Sequence, residues 1–327
     1  MSAVFNDEIK TLNDHNLLDR FGHLDFLQAS NDEGRSFSSP EATTALIAEG
    51  GGQRGIFTAG VLDEWLMQGF NPFSLLIGTS AGAQNLSSYL TGQIGFARTS
   101  ITQLSRKPQF FNLARGIKGQ HTVDLDWYFD QVKRPEFSLN MDSGVAQLHN
   151  RELLISMTNS SSYLAEFRKP TKENWLKLLK ASSALPFLYR QGVKVEDDFY
   201  VDGGLSAPLP VEEAYRRGAT KIVVIRTMPK AYAAYTPWVN RLKGWICSSN
   251  RCPKALYYYV HHEAEYKRSL SFIASPPKGV EVVQIFPQTE LHSKLLGSSD
   301  DELNNDYLMG RQAGVEFINQ YGQLKHH

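Results

Sequence analysis

The chain has little of what would tie a protein to a special environment. Its 327 residues include only two cysteines, Cys247 and Cys252. That is too few for a secreted disulfide scaffold, and a lone C-x4-C lacks the ligands of a structural zinc site. No H-E-x-x-H, EF-hand loop or cysteine cluster occurs, so neither a metal nor another cofactor is expected. No stretch approaches the roughly 20 apolar residues that a membrane-crossing helix needs. The apolar runs are short, as in Leu75-Leu76-Ile77 and Ile222-Val223-Val224-Ile225, the size of buried strands. Met1–Arg20 carries Asp7, Glu8, Lys10, Asp14 and Asp19 and has no apolar centre, unlike a secretory signal. The expected location is the cytoplasm, at most peripheral to the inner face of a membrane. Net charge is also missing, with 34 Lys+Arg against 34 Asp+Glu.

What is present is ordinary globular material: 42% hydrophobic and 21% charged residues argue against wholesale disorder. At roughly 150 residues per domain the length suits one large domain or two moderate ones. Residues 1–41 are polar and Ser/Gly-rich toward Pro40, and read as a surface extension with a helix near Leu17 to Leu27. From Thr44 the pattern changes. A short apolar strand runs into Gly50-Gly51-Gly52, and Ile56, Phe57, Val61, Leu62, Trp65 and Leu66 follow at the spacing of one helix face. Phe73–Ile77 reads as a second strand leading into a second helix. Further strands are predicted at 153–157, 199–201, 221–225 and 280–285, and helices at 173–182, 211–217 and 301–321, with a charged helix ending near Leu270. Strands alternating with helices predict a three-layer α/β/α fold around a mostly parallel sheet, with an α+β extension over 231–327.

Three segments carry recognisable chemistry. Gly78-Thr79-Ser80-Ala81-Gly82 fits G-x-S-x-G between a strand and a helix, a turn that lifts a serine hydroxyl clear of the sheet above a helix N-terminus. Gly50, Gly52 and Gly55 of Gly50-Gly51-Gly52-Gln53-Arg54-Gly55 fit G-x-G-x-x-G, but no acid ends the second strand as a dinucleotide fold requires, and no Gly-Lys-Ser/Thr follows as a phosphate loop requires. A nest of backbone N–H groups for an oxyanion remains the better reading, beside a plain tight turn. Asp202, in Asp202-Gly203-Gly204, ends a short strand where open α/β sheets place ligands, although a D-G-G by itself is commonly a turn.

In this order the three segments, with Ala181-Ser182-Ser183-Ala184-Leu185-Pro186 before the aspartate, resemble the patatin-like phospholipase family over roughly residues 42–230. The resemblance implies a patatin-like catalytic domain over 42–230 with a C-terminal extension packed on it. It further implies a Ser80 nucleophile with Asp202 as proton acceptor, no catalytic histidine, and oxyanion donors from Gly51, Gly52 and Gln53 or Arg54. The substrates implied are lipid esters, attacked through an acyl-enzyme. A carboxylate is a feeble base unless burial, expected here against Phe199 and Tyr200, raises its pKa; such a base favours esters over peptides. Two other readings stay open. One is an α/β-hydrolase-type esterase using His261, His262 or His292 as base. The other is a lipid- or protein-binding module with a silent site.

Acids are absent between Glu64 and Asp124, where Arg98, Arg106, Lys107, Arg115 and Lys118 occur. They are absent again between Glu213 and Glu263, where cations interleave with Tyr232, Tyr235, Trp238, Trp245 and Tyr257-Tyr258-Tyr259. Cations with interfacial aromatics suit an anionic membrane surface. A solvated face paired with acids from elsewhere is the bland alternative, and nucleic acid the least favoured partner. The segment between Gly92 and Gly119 is a candidate lid.

Overall fold

The computed structural model describes residues 43–190, 192–230 and 253–321. The extension expected over 1–41, the aromatics between Tyr232 and Trp245, and both cysteines lie outside the described residues. In chain order the principal elements are β1 (Thr43–Ala48), α1 (Gly55–Met67), β2 (Leu75–Thr79), α2 (Ala81–Leu90), α3 (Leu125–Gln131), β3 (Glu152–Asn159), β4 (Ala165–Arg168), α4 (Trp175–Ser182), β5 (Val193–Val195), β6 (Asp198–Asp202), α5 (Val211–Arg216), β7 (Ala219–Ile225), α6 (Pro253–Ala274), β8 (Glu281–Ile285) and α7 (Asp300–Tyr321).

The strands form a sheet in the order β5-β6-β3-β2-β1-β7-β8, with β4 paired to β3 off this path. Pairings among β3, β2, β1, β7 and β8 are parallel, and those of β4, β5 and β6 are antiparallel. Continuous apolar runs such as Ala45-Leu46-Ile47-Ala48 follow from burial on both faces, because alternate side chains serve opposite layers. Leu46 and Ala48 join Phe57, Trp65 and Leu86 on the face covered by α1 and α2; Ala45 and Ile47 join Val211, Ala214, Tyr266 and Ile273 on the face covered by α5 and α6. The three-layer expectation is met.

α1 departs from the one-sided helix that its spacing predicts. Every residue from Gly55 to Trp65 is buried, because α7 covers the face that would otherwise meet solvent. The two helices cross almost backbone to backbone. A methyl group on Gly310 would lie 2.1 Å from the Phe57 carbonyl oxygen, and one on Gly60 would lie 2.2 Å from that of Tyr307. Polar side chains then seal the contact. Tyr307 donates to Asp63 at 2.9 Å, the Trp65 indole donates to the Gly314 carbonyl at 3.2 Å, and Arg311 reaches Glu64 at 2.6 Å.

One feature of register positions the site. At Ser156 β3 pairs with Thr79 of β2 and with Phe167 of β4, so these two strands occupy opposite edges of β3. At the next residue, Met157, the partners are Glu166 of β4 and Asp202 of β6, so β6 takes over the edge where β2 ends. The end of β2 and the end of β6 therefore meet head to head along one edge of β3. The residues that leave them, Ser80 and Asp202, are forced together.

Candidate active site

Ser80 sits between β2 and α2 with φ 54° and ψ −123°, a positive φ that a non-glycine residue adopts at a cost of order 1–3 kcal/mol. Gly78 and Gly82 make the turn feasible by packing against Ala83 and the Ala48 carbonyl, with no room for a side chain at either position. The Ser80 backbone N–H donates to Ser182 Oγ at 2.8 Å, which pins the turn to the end of α4. Thr79 just before it is wholly buried. Its hydroxyl donates to the Ala207 carbonyl at 2.8 Å and so accepts from Ser156 Oγ at 2.7 Å.

The Ser80 hydroxyl donates to Asp202 Oδ2 at 2.7 Å. Asp202 is 3% exposed, and its other oxygen accepts the Gly204 N–H at 2.8 Å. Its own carbonyl accepts from Thr158 Oγ1 at 2.8 Å, and its N–H donates to the Ala184 carbonyl at 3.0 Å. Gly203 passes so close to the Ser156 backbone that a methyl there would sit 2.4 Å from its carbonyl oxygen. Burial pushes the Asp202 carboxyl up to about 6, against the opposing pull of the Ser80 and Gly204 hydrogen bonds. Phe199, expected among the residues that bury it, is instead 46% exposed at the outer end of β6; Tyr200 is buried as expected.

The triple-glycine bend lies alongside: a methyl on Gly50 would touch Ser80 Cβ at 3.1 Å. Gly52 must be glycine twice over. Its φ is 60°, and a methyl would fall 2.3 Å from the Leu295 carbonyl oxygen. Among the described residues the N–H groups of Gly51 and Gly52 donate to no protein acceptor. The implied third donor needs correction. The Gln53 N–H is held by the Leu295 carbonyl at 3.0 Å and that of Arg54 by the Gly51 carbonyl at 3.2 Å, so neither is open to a ligand. The Gln53 side chain is buried as a strut, donating to Ser105 and accepting from the Ser298 N–H at 2.8 Å. Gly55 packs beneath the loop, its carbonyl accepting from Asn85 Nδ2 at 2.9 Å. Ala81 faces the cavity.

That cavity, about 120 Å³, is lined by Ser80, Asp202 and the glycine bend together with the apolar Ile101, Phe110, Leu125, Leu188, Met228 and Leu296. The candidate lid over 92–119 thus contributes Ile101, Ser105 and Phe110 to its wall. Glu49, which the motifs did not flag, is buried at the cavity edge beside the guanidinium of Arg226, accepts from the Thr227 N–H at 2.6 Å, and has its carboxyl pushed up by burial.

The histidine alternative is not assembled. The Ser80 hydroxyl gives its hydrogen bond to Asp202, while His261 contacts the Tyr163 carbonyl at 3.1 Å and His292 contacts Asp306 at 3.2 Å. His262 does reach the cavity wall, but its Nδ1–H is committed to the Gly204 carbonyl at 2.5 Å and burial pushes its pKa down to about 4. A hydroxyl bonded to a buried carboxylate of raised pKa, next to open amides and apolar wall, is suited to attack on an acyl carbon. Among the described residues no cluster of His, Cys, Asp or Glu could hold a metal ion, and no helix is long and apolar enough to cross a membrane.

Comparison with known proteins bears on the family of the chain. The uncharacterized protein YjjU of Escherichia coli K12 is 42% identical over 282 residues, covering 86% of this chain and 78% of that one. Residues 252–325 match a domain of unknown function, DUF6363. The crystal structure of VipD from Legionella pneumophila aligns with 86% of this chain and 67% of that one at a TM-score of 0.49 and 14% identity. Residues 46–215 match the model of patatin-like phospholipases, from within β1 to within α5, and the chain belongs to that family.

Proposed function

We propose that the protein is a serine acyl hydrolase that cleaves carboxylic ester bonds of lipids, as a phospholipase A or lysophospholipase does. The observation that carries this reading is the 2.7 Å hydrogen bond from Ser80 to the buried Asp202 carboxylate. Asp202 takes the hydroxyl proton as Ser80 Oγ attacks the acyl carbon; the oxyanion is held by the amides of Gly51 and Gly52. Protonated Asp202 then returns the proton to the leaving alkoxide. In the second half Asp202 accepts a proton from water as the water attacks the acyl-Ser80 ester, then returns it to Ser80 Oγ as the acyl–oxygen bond breaks and the fatty acid departs. The apolar wall from Ile101 to Leu296 receives the acyl chain. In the same reading residues 42–230 are the catalytic domain and 231–327 an extension packed upon it.

The test is product analysis on a panel of phospholipids, lysophospholipids, neutral glycerides and peptides. Release of fatty acid by the wild type and none by Ser80→Ala supports the reading. Equal turnover of peptides and esters, or no turnover with no labelling of Ser80 by a fluorophosphonate, removes it and favours a silent binding module.

The substrate surface proposed is an anionic bilayer. Arg98 is engaged with Asn304 and stacked over Tyr307, Arg106 is paired with Asp300, and Arg115 with Asp124. Arg226 is buried. Lys107 and Lys118 make no ion pair among the described residues, and they flank Leu113 and Ile117, 57% and 87% exposed. In sequence this tip follows closely on Phe110, which lines the cavity, and in this reading it passes the acyl chain from the bilayer toward the cavity.

A further inference from the structure

The stretch that matches a domain of unknown function makes contacts that a mere appendage would not need. It touches both halves of the candidate catalytic machinery. From α6, His262 donates through Nδ1 to the Gly204 carbonyl at 2.5 Å, and Gly204 donates its N–H to Asp202 at 2.8 Å. From the loop before α7, the Leu295 carbonyl accepts the Gln53 N–H at 3.0 Å, and the Ser298 N–H donates to the Gln53 side chain at 2.8 Å. The loop itself is nailed down by Asp306 of α7. This carboxylate is 0% exposed and accepts from the backbone N–H groups of His292 and Ser293 and from the Ser293 hydroxyl at 2.5 Å.

We infer that the C-terminal region is part of the catalytic site, with His262 a positioning residue for the Asp202 carboxylate and the Asp306-anchored loop a positioning device for the glycine bend. The inference rests on the hydrolase reading above. Chain geometry explains the need. Gly203 and Gly204 have no side chains to pack, so the turn that presents Asp202 requires an outside anchor. The Gly51–Gly52 amides likewise sit in a bend with positive φ at both residues, held against Leu295. Reacting groups displaced by about 1 Å lose rate steeply. The titratable groups sharing the cavity with Asp202 are Glu49 and Arg54 from the loop after β1, Tyr128 and Tyr189 from the segment between β2 and β5, and His262 from α6. Asp202 accepts hydrogen bonds from Ser80 and Gly204 and from none of these.

The experiment compares His262→Leu, which fills the space without a donor, with His262→Asn, whose side-chain amide can still donate to the Gly204 carbonyl. Both are assayed in the full-length chain on a soluble ester, with folding followed by thermal denaturation. The leucine variant is expected to lose roughly 10- to 100-fold in kcat with KM little changed. Its acid limb should move to higher pH, because a loosened Gly204 N–H stabilises the Asp202 carboxylate less. Asparagine should restore most of both. Leucine and asparagine variants that match the wild type in kcat and pH profile overturn the inference. Should the leucine variant not fold, Asp306→Asn decides: a lower kcat and slower fluorophosphonate labelling with the acid limb unmoved support the oxyanion arm, and unchanged rates overturn it. A wild type inert toward every ester and toward the probe would instead sink the hydrolase reading.

Discussion

At the scale of single residues the chemistry centres on Asp202. Its carboxyl ordinarily titrates near 3.8 and is pushed up to about 6 by burial, so the basic form dominates at neutral pH while its conjugate acid still donates well. Turnover, measured as kcat/KM on a soluble ester, should therefore fall as pH drops through about 6. Stability carries the same shift with the opposite sense. The folded state holds the proton more tightly than the unfolded one, so the favourable contribution is complete below about 3.8 and is lost as pH rises through about 6. Above that, the ionised carboxylate costs on the order of 3 kcal/mol. Asp202→Asn should abolish turnover yet raise the urea midpoint at pH 8, with the gain fading toward pH 4. An unchanged midpoint would mean that the carboxylate is not desolvated. Ser182 gives a second test at this scale. Its hydroxyl accepts the Ser80 N–H, so Ser182→Ala leaves a strained turn without its anchor, and kcat should fall roughly tenfold with a stability loss of about 1–2 kcal/mol.

Among the elements, the α1–α7 crossing bears the tightest constraint. Gly310→Ala drives a methyl into the Phe57 carbonyl and should cost about 1–3 kcal/mol, visible as a lower Tm, while the exposed Leu308→Ala on the same helix should be nearly silent. This contact also shows where sequence periodicity stops. The spacing of Ile56, Phe57, Val61 and Trp65 located a helix correctly, but nothing local announced that its other face would be covered by a helix more than 200 residues later in the chain. β4 and β5 carry no sequence signal for a related reason. Ala165–Arg168 is a half-buried run without clean alternation, and Val193–Val195 is too short to register a period. Ser80 was legible because strand, turn and helix adjoin it. The D-G-G was ambiguous by itself, since what brings Asp202 to Ser80 is the edge of β3 shared by β2 and β6, a nonlocal register. The engagement of the Gln53 and Arg54 amides was likewise invisible, because the partner of Gln53 is Leu295.

For the whole molecule, several cations of the acid-free spans find acids elsewhere in the chain, among them Arg106 with Asp300 and Arg115 with Asp124. Arg216 and Arg217 pair with Glu213, and Arg217 also with Glu152, so these two cations of the span after Glu213 are neutralised within the chain. Lys107 and Lys118, which make no ion pair among the described residues, lie either side in sequence of the exposed Leu113 and Ile117 in the proposed docking tip. Leu113→Asp with Ile117→Asp should reduce sedimentation with anionic vesicles severalfold and lower turnover of vesicle-borne lipid, while leaving turnover of a soluble ester intact. Equal sedimentation of wild type and variant would remove the docking surface without touching the chemistry.

The most direct measurement is time-resolved fluorophosphonate labelling read by peptide mass spectrometry, on wild type and Asp202→Asn, between pH 5 and 8. An adduct is expected on the peptide containing Ser80, forming faster as pH rises through about 6, and all but absent from the asparagine variant. An adduct on another serine, or equal labelling rates in the two proteins, would contradict it.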